Sequence, residues 1–111
     1  MAIMIDKETK AFEVASGVQR KIIHLNNLMM VVIDFTNGPA SKPDLPHSHR
    51  HEQISYVAKG ELNVFIGGEM SFLKEGDSFS VPCDIPHCIQ TLCSHVRLID
   101  TFSPVREDFL L

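Results

Sequence analysis

The sequence has no long apolar run and no excess of basic residues. No apolar segment approaches the roughly 20 residues that a membrane-spanning helix requires. The formal net charge of −4 provides no general positive field for nucleic acid, and the basic residues are scattered rather than grouped. We therefore expect a soluble protein that binds neither membranes nor nucleic acid.

A disulfide framework and a secretory signal are also missing. The three cysteines, Cys83, Cys88 and Cys93, are odd in number, and their spacing fits neither a Cys-x-x-Cys metal knuckle nor a set of paired disulfides. Residues 1–10 are interrupted by charged side chains and lack the hydrophobic region of a signal peptide. These features predict reduced thiols and a cytoplasmic protein.

No long amphipathic helix is indicated, and the 111 residues are enough for a single domain, 1–111. Short β-prone segments alternate instead with turn signals rich in glycine and proline. This pattern predicts an all-β fold, an antiparallel barrel or jelly roll. The predicted strands are residues 11–27, 28–35, 53–58, 61–66, 69–73, 78–81, 87–92 and 96–102. For residues 11–27 the pattern is irregular and a short helix is the alternative, with the strand favoured.

Three other segments carry structural expectations. The continuous apolar run 28–35 predicts a strand covered on both faces, which favours packing against a second subunit in a homodimer. Residues 36–46 are rich in proline and glycine and predict a loop, whereas Gly67 and Gly68 predict a two-residue hairpin turn. For residues 107–110 a final helical turn and a docked arm both remain open.

Histidine is concentrated where that loop ends. His47, His49 and His51 are three of the six histidines in the chain. Side chains two positions apart share one face of a strand, so His47, His49 and Gln53 can face the same side. Imidazole is a preferred ligand of borderline divalent metals, which indicates a metal site. A polar loop without ligands remains the alternative at this point.

The spacing of these residues resembles the paired motifs of the cupin superfamily. In residues 47–60 a His-x-His pair precedes Gln53, and six residues then lead to Gly60; in residues 76–91 five residues lead from Gly76 to Pro82, and His87 follows. The resemblance implies a single-domain cupin jelly-roll barrel. The sequence departs from the motifs at turn positions, where Ser41 and Asp84 replace glycines and Thr91 replaces an asparagine.

The resemblance also implies a set of ligands for one divalent metal ion, which can be Zn, Ni, Mn or Fe. The ligands carried over are His47, His49, Gln53 and His87. Glu52 is the alternative to Gln53, and His51 has no assigned role beyond a place beside the ligands. Four neutral ligands leave the ion's double positive charge uncompensated, which favours anionic substrates and Lewis-acid chemistry over oxygen activation.

The last predicted strand brings further candidates. Leu98, Asp100 and Phe102 share one parity, so an inward Leu98 places Asp100 and Phe102 inside the barrel as well. Asp100 is a candidate general acid or base. Arg106 can hold a substrate carboxylate through two parallel hydrogen bonds. The alternative is a structural ion pair between Asp100 and Arg106.

Longer strings narrow the resemblance to the small KdgF-type cupins of pectin and alginate breakdown. These strings are Pro-His-Ser-His-x-His-Glu-Gln, the Gly-Gly-Glu hairpin and Asp-x-Phe-Ser-Pro-x-Arg-Glu-Asp-Phe. The resemblance implies an isomerase that opens 4,5-unsaturated monouronates, with Asp100, Phe102 and Arg106 catalytic and the last two also binding the anionic sugar acid. The alternatives are a dioxygenase or polyketide-cyclase-like cupin and a non-catalytic cupin that binds small acids or sugars.

Overall fold

The computed structural model describes residues 2–110, in which nine strands form two antiparallel sheets. The strands are β1 (Phe12–Ala15), β2 (Val18–His24), β3 (Met29–Phe35), β4 (Glu52–Lys59), β5 (Glu61–Ile66), β6 (Glu69–Lys74), β7 (Ser78–Val81), β8 (His87–Thr91) and β9 (Val96–Ser103). Two short 3₁₀ turns, Asp6–Glu8 and Glu107–Leu110, lie near the ends. None of the described helices is long and apolar enough to span a membrane.

The two sheets differ in size. The larger has the order β1-β2-β3-β9-β4-β7 and the smaller has the order β6-β5-β8. A buried apolar cluster from β4, β5 and β9 packs the sheets together and consists of Val57, Leu62, Val64, Val96 and Leu98. The predicted all-β fold with antiparallel strands is confirmed.

Most strand boundaries lie within one or two residues of the predicted ones because glycine and proline mark the turns. Gly67 and Gly68 have φ angles of 58° and 87°, as the predicted hairpin turn requires. The exception is the segment 11–27, for which we expected one strand. It contains β1 and β2, which pair with each other around Gly17 at φ 74°. That glycine reverses the chain, and the single-strand expectation missed it.

The apolar strand β3 lies between β2 and β9, at the centre of the larger sheet. Val31 packs in the interior with Met29 and Phe102. Val32 faces the other side and is also buried. Asp6 bonds to Lys21, the pairing partner of Val32, so the N-terminal segment of the same chain reaches this outer face. Burial of β3 therefore arises in part within one chain, and the homodimer stays a prediction.

Candidate metal centre and adjoining cavity

Three histidine side chains converge at one end of the barrel. His47, His49 and His87 each offer a ring nitrogen, and these atoms lie within 4.8 Å of one another. His47 and His87 pair through the backbone, because each N–H donates to the other's carbonyl at 3.0 and 2.8 Å. This bridge holds the two ring centroids 4.2 Å apart. Residues far apart in sequence thereby form one cluster.

His49 reaches the cluster without belonging to a regular strand. Strand β4 begins only at Glu52, and the backbone bends at Arg50 and His51. The shared face of His47, His49 and Gln53 therefore does not come from the alternation of one strand, as we had expected. Asp84, at φ 61°, donates its backbone N–H to the His49 carbonyl at 2.8 Å. The positive φ of Asp84 explains why glycine is usual at this motif position, since aspartate is one of the few other residues that adopt this left-handed conformation.

The ring tautomers of two histidines follow from their hydrogen bonds. His49 Nδ1 lies 2.9 Å from the His51 carbonyl and His87 Nδ1 lies 2.9 Å from the Ile85 carbonyl. A carbonyl only accepts, so each Nδ1 carries a proton and each neutral ring keeps a lone pair on Nε2. His87 Nε2 is buried without a hydrogen-bond partner among residues 2–110. A metal ion fits this vacant acceptor, which is costly to leave unsatisfied.

Gln53 is oriented by a chain of hydrogen bonds. Its Nε2 donates to Ser55 Oγ at 2.9 Å, and Ser55 Oγ donates to Asp100 Oδ1 at 2.6 Å. Gln53 Oε1 then faces His49 Nε2 at 3.2 Å. With His49 protonated on Nδ1, both facing atoms are acceptors, an arrangement that a cation stabilises. The alternative candidate, Glu52, is exposed on the other side of β4.

The surroundings of His47 and His87 favour the neutral form of these two imidazoles. Burial, the neighbouring imidazoles and Arg106 lower the pKa of His47 to about 4. Burial is also the main cause that lowers the pKa of His87. Neutral rings have the lone pairs that a metal needs, so this donor set is suited to a divalent cation.

The cluster opens into a cavity of about 170 Å³. Asp100 and Arg106 line this cavity together with His47, Gln53 and His87. Its remaining lining is mostly apolar and includes Val31, Ile33, Phe35, Val64, Phe79, Leu98, Phe102 and Phe109. The inward parity that we predicted for Leu98, Asp100 and Phe102 is therefore present.

Asp100 is the carboxyl group at the end of the hydrogen-bond chain that begins at Gln53. Burial raises its pKa to about 6, although Ser55, Arg106 and Arg20 each act to lower it. The alternative of a direct ion pair between Asp100 and Arg106 is not present, since Arg106 bonds to Asp108 at 2.8 and 3.3 Å. A carboxyl group with such a pKa can exchange protons near neutral pH.

The C-terminal segment closes one side of the cavity. Residues Glu107–Leu110 form a 3₁₀ turn that also docks through Phe109, so both alternatives left open for this segment apply. The Phe109 ring lies edge-on to Phe102 at 5.6 Å. The guanidinium carbon of Arg106 lies 4.1 Å from the Phe109 ring centroid and 5.3 Å from that of Phe102. These stacks hold Arg106 at the cavity wall.

Three residues of the cavity region escaped the sequence analysis: Arg20, Ser55 and Phe109. Ser55 shares the parity of Gln53 on β4, which is a usable signal. Arg20 belongs to a segment without a motif, whereas Phe109 ends the string Asp-x-Phe-Ser-Pro-x-Arg-Glu-Asp-Phe but was given no role of its own. His51 lies with its ring 5.6 Å from that of His49 but outside the three-histidine cluster. His24 and His95 bond to Leu25 and Asp34, away from the cavity.

Comparisons with known proteins agree with this geometry. The family model of the cupin domain matches residues 31–101. The sequence is 44% identical over 108 residues to the pectin degradation protein KdgF of Dickeya dadantii (strain 3937), covering 96% of each chain. The fold is similar to that of KdgF from Halomonas sp., with a TM-score of 0.89, 36% identity and 98% of each chain covered. An RmlC-like cupin from Shewanella frigidimarina NCIMB 400 has a TM-score of 0.88 and 36% identity, with 98% of this chain and 96% of that chain covered.

Proposed function

The chain belongs to the cupin family, and we propose that it is a metal-dependent isomerase that converts 4,5-unsaturated monouronates into the linear 4-deoxy-5-keto uronate. The observation that carries this proposal is the hydrogen-bonded series Gln53–Ser55–Asp100, which connects the side chain beside the three-histidine cluster to a carboxyl group of the same cavity. The similarity to pectin degradation proteins named KdgF supports the substrate class.

The reaction is a rearrangement in which no atom is gained or lost. The proton of the ring's C1 hydroxyl is removed, the C1–O5 bond breaks, and C1 becomes an aldehyde. The electrons of that bond move to O5, which gives an enolate at C4, C5 and O5. Protonation of C4 then turns the enolate into a ketone. One proton moves from oxygen to carbon, so no oxidant and no water molecule is consumed.

We propose that His47, His49, Gln53 and His87 hold one divalent ion. When bound, the ion supplies positive charge that polarises substrate oxygens. The residues contribute neutral donor atoms, so the cavity keeps an attraction for anions. Zn, Ni, Mn and Fe all accept imidazole and amide ligands, and metal analysis of protein purified without a metal-affinity resin identifies which of them is bound.

Asp100 is the proposed proton carrier. In its ionised form it accepts the proton of the C1 hydroxyl, and in its protonated form it delivers that proton to C4. A pKa of about 6 allows both forms near neutral pH. The hydrogen bond from Ser55 Oγ at 2.6 Å fixes the carboxyl group while it does so.

Arg106 and Phe102 are the proposed substrate-binding residues. The Arg106 guanidinium lies against two aromatic rings, and its Nε and Nη2 donate to the exposed Asp108, so a substrate carboxylate binds its remaining N–H groups or displaces Asp108. Phe102 is buried and covers the apolar side of the cavity. Its ring excludes water from the reacting carbons, which strengthens the electrostatic contacts there.

The decisive experiment follows the conjugated ultraviolet absorbance of an unsaturated monouronate. Protein loaded with metal is compared with chelator-treated protein and with the spontaneous ring opening. We expect rapid loss of absorbance with loaded protein and formation of the keto acid by nuclear magnetic resonance. A rate equal to the spontaneous one with metal-loaded protein contradicts the proposal.

We also expect a homodimer. The outer face of the larger sheet exposes apolar side chains, among them Ile54 at 63% and Tyr56 at 45% of their accessible surface. A two-fold contact is the commonest way to cover such a face. Sedimentation velocity tests this expectation, and a monomer at micromolar concentration contradicts it.

A further inference from the structure

We propose that Arg20 is a second carboxylate-binding residue, so that the acid group of the ligand is held between Arg20 and Arg106. This inference rests on the proposed function because it names how that same cavity selects an acid. It concerns a residue from β2, a strand outside both histidine motifs.

Arg20 enters the cavity from the larger sheet. It lies opposite Ile33 in the register of β2 and β3, and both residues line the cavity with Asp100 and Arg106. Its guanidinium carbon lies 3.8 Å from the centroid of the Phe109 ring. The same ring also carries Arg106, at 4.1 Å. Both guanidinium groups therefore contact the Phe109 ring at the cavity wall.

The hydrogen-bonding capacity of Arg20 is not used up. Its Nε is buried and has no hydrogen-bond partner within residues 2–110. The contact of the guanidinium with the Phe109 ring provides no oxygen or nitrogen acceptor for Nε–H. Nε–H is one of the donors with which an arginine binds a carboxylate bidentately. A buried donor without a partner is destabilising, and a ligand oxygen removes that cost.

The cavity lining contains two arginines, Arg20 and Arg106, and two carboxyl groups, Asp44 and Asp100, but neither of these carboxyl groups pairs directly with Arg20. Arg106 has Asp108 as its partner, and Asp100 accepts its hydrogen bond from Ser55. No carboxylate of residues 2–110 forms a salt bridge with Arg20. Burial, followed by the charge of Arg106, lowers the pKa of Arg20, and the charges of Asp108 and Asp100 only partly offset these effects. An incoming carboxylate supplies both the negative charge and the acceptor atoms.

The expected ligand is a sugar acid, and neutral sugars of the same shape lack the group that the arginine pair binds. The test measures binding by calorimetry with metal-loaded protein and two probes that cannot react, galacturonate and galactose. Arg20→Met keeps the length and apolar stem of the side chain but removes the charge. Arg20→Lys restores the charge. Lys21→Met is the matched control, because it removes a positive charge from the next residue, on the opposite face of β2.

We expect Arg20→Met to weaken galacturonate binding about ten- to a hundredfold, the usual effect of a charge-assisted hydrogen bond. Galactose binding and the melting temperature of the loaded protein should change little. Arg20→Lys should recover part of the affinity, and Lys21→Met should bind as the parent does. With the unsaturated substrate, Arg20→Met should raise KM more than it lowers kcat.

Equal affinity of parent and Arg20→Met for galacturonate overturns the inference. Equal weakening of galacturonate and galactose also overturns it, because Arg20 then only supports the shape of the cavity. The outcome is separable from the proposed function. If Arg20→Met selectively loses galacturonate binding but the parent protein does not accelerate ring opening, the inference is supported and the isomerase is rejected. If the parent accelerates ring opening and Arg20→Met has the same KM as the parent, the isomerase is supported and the inference is rejected.

Discussion

Ser55 donates a 2.6 Å hydrogen bond from Oγ to Asp100 Oδ1, and the same oxygen accepts a hydrogen bond from Gln53. Ser55 is completely buried, so neither contact competes with solvent. One hydroxyl group therefore sets the orientation of a candidate metal ligand and of a candidate proton carrier. Changes at Ser55 should affect both.

Ser55→Ala is expected to shift the pH profile of turnover. The hydrogen bond from Ser55 lowers the pKa of Asp100 against the effect of burial, so its loss should raise that pKa and move the acidic limb of kcat to higher pH. Ser80→Ala, on the exposed side of the adjoining strand β7, is the control. An unchanged limb in Ser55→Ala means that Ser55 does not tune Asp100.

Gln53→Ala should lower metal affinity by about tenfold or more, because it removes one of the four proposed ligands. Even the loss of a residue that only orients a ligand commonly costs this much. Glu52→Ala is a matched control because it changes the neighbouring residue, which is exposed. Bound metal is measured after dialysis against buffered free ion. If only Glu52→Ala loses the ion, the assignment of Gln53 is wrong.

Asp100→Asn should reduce kcat by about 10²- to 10⁴-fold, the usual contribution of a positioned acid or base. The amide keeps the size of the side chain and cannot carry the proton. Metal content should stay near that of the parent, and Glu61→Gln should turn over normally, because Glu61 is exposed and lies at the opposite end of β5 from Ile66, which pairs with His87. Undiminished turnover in Asp100→Asn would make this residue structural.

Turnover of the parent should have an acidic limb near pH 6. Burial raises the pKa of Asp100 to about 6, so the carboxylate form that accepts the substrate proton predominates above this pH. Below it, kcat should fall by about tenfold per pH unit as the group becomes protonated. The profile is recorded with saturating metal, and a flat kcat between pH 5 and 7 contradicts Asp100 as the base.

Gly60→Ala should destabilise the fold more than Gly68→Ala does. Both glycines have nearly the same φ, 89° and 87°, so each substitution carries a similar backbone strain of about 1–2 kcal/mol. A Cβ at residue 60 would also collide with the His95 carbonyl, whereas a Cβ at residue 68 meets no atom within 4 Å. Urea unfolding compares the two variants. Equal losses would show that the backbone around residue 95 yields.

The sequence was sufficient for strands β3 to β9 because local turn chemistry determines where they end. Gly67 and Gly68 mark a hairpin directly, and alternation on β9 correctly predicts that Asp100 and Phe102 face inward. The six residues between Gln53 and Gly60 favour Gln53 over the adjacent Glu52 as the candidate ligand. These features depend on short-range rules that the sequence displays.

The contacts of Arg20 could not be predicted in this way. Arg20 meets Phe109, which lies near the other end of the chain, and only the packing of β2 beneath the C-terminal turn brings them together. The strand alternation that suggested a common face for His47 and Gln53 also fails, because bends at Arg50 and His51 interrupt it. Tertiary packing, for which the sequence has no local signal, sets both features.

The backbone bridge between His47 and His87 has a consequence for how the protein acquires its ion. The two rings meet only after the chain between them has folded back through β4 to β7, so the local histidine cluster alone does not form the complete site. The metal should therefore enter a barrel that has already formed, instead of directing its folding. Under this order of events, the supply of free ions around the folded protein determines which metal occupies it.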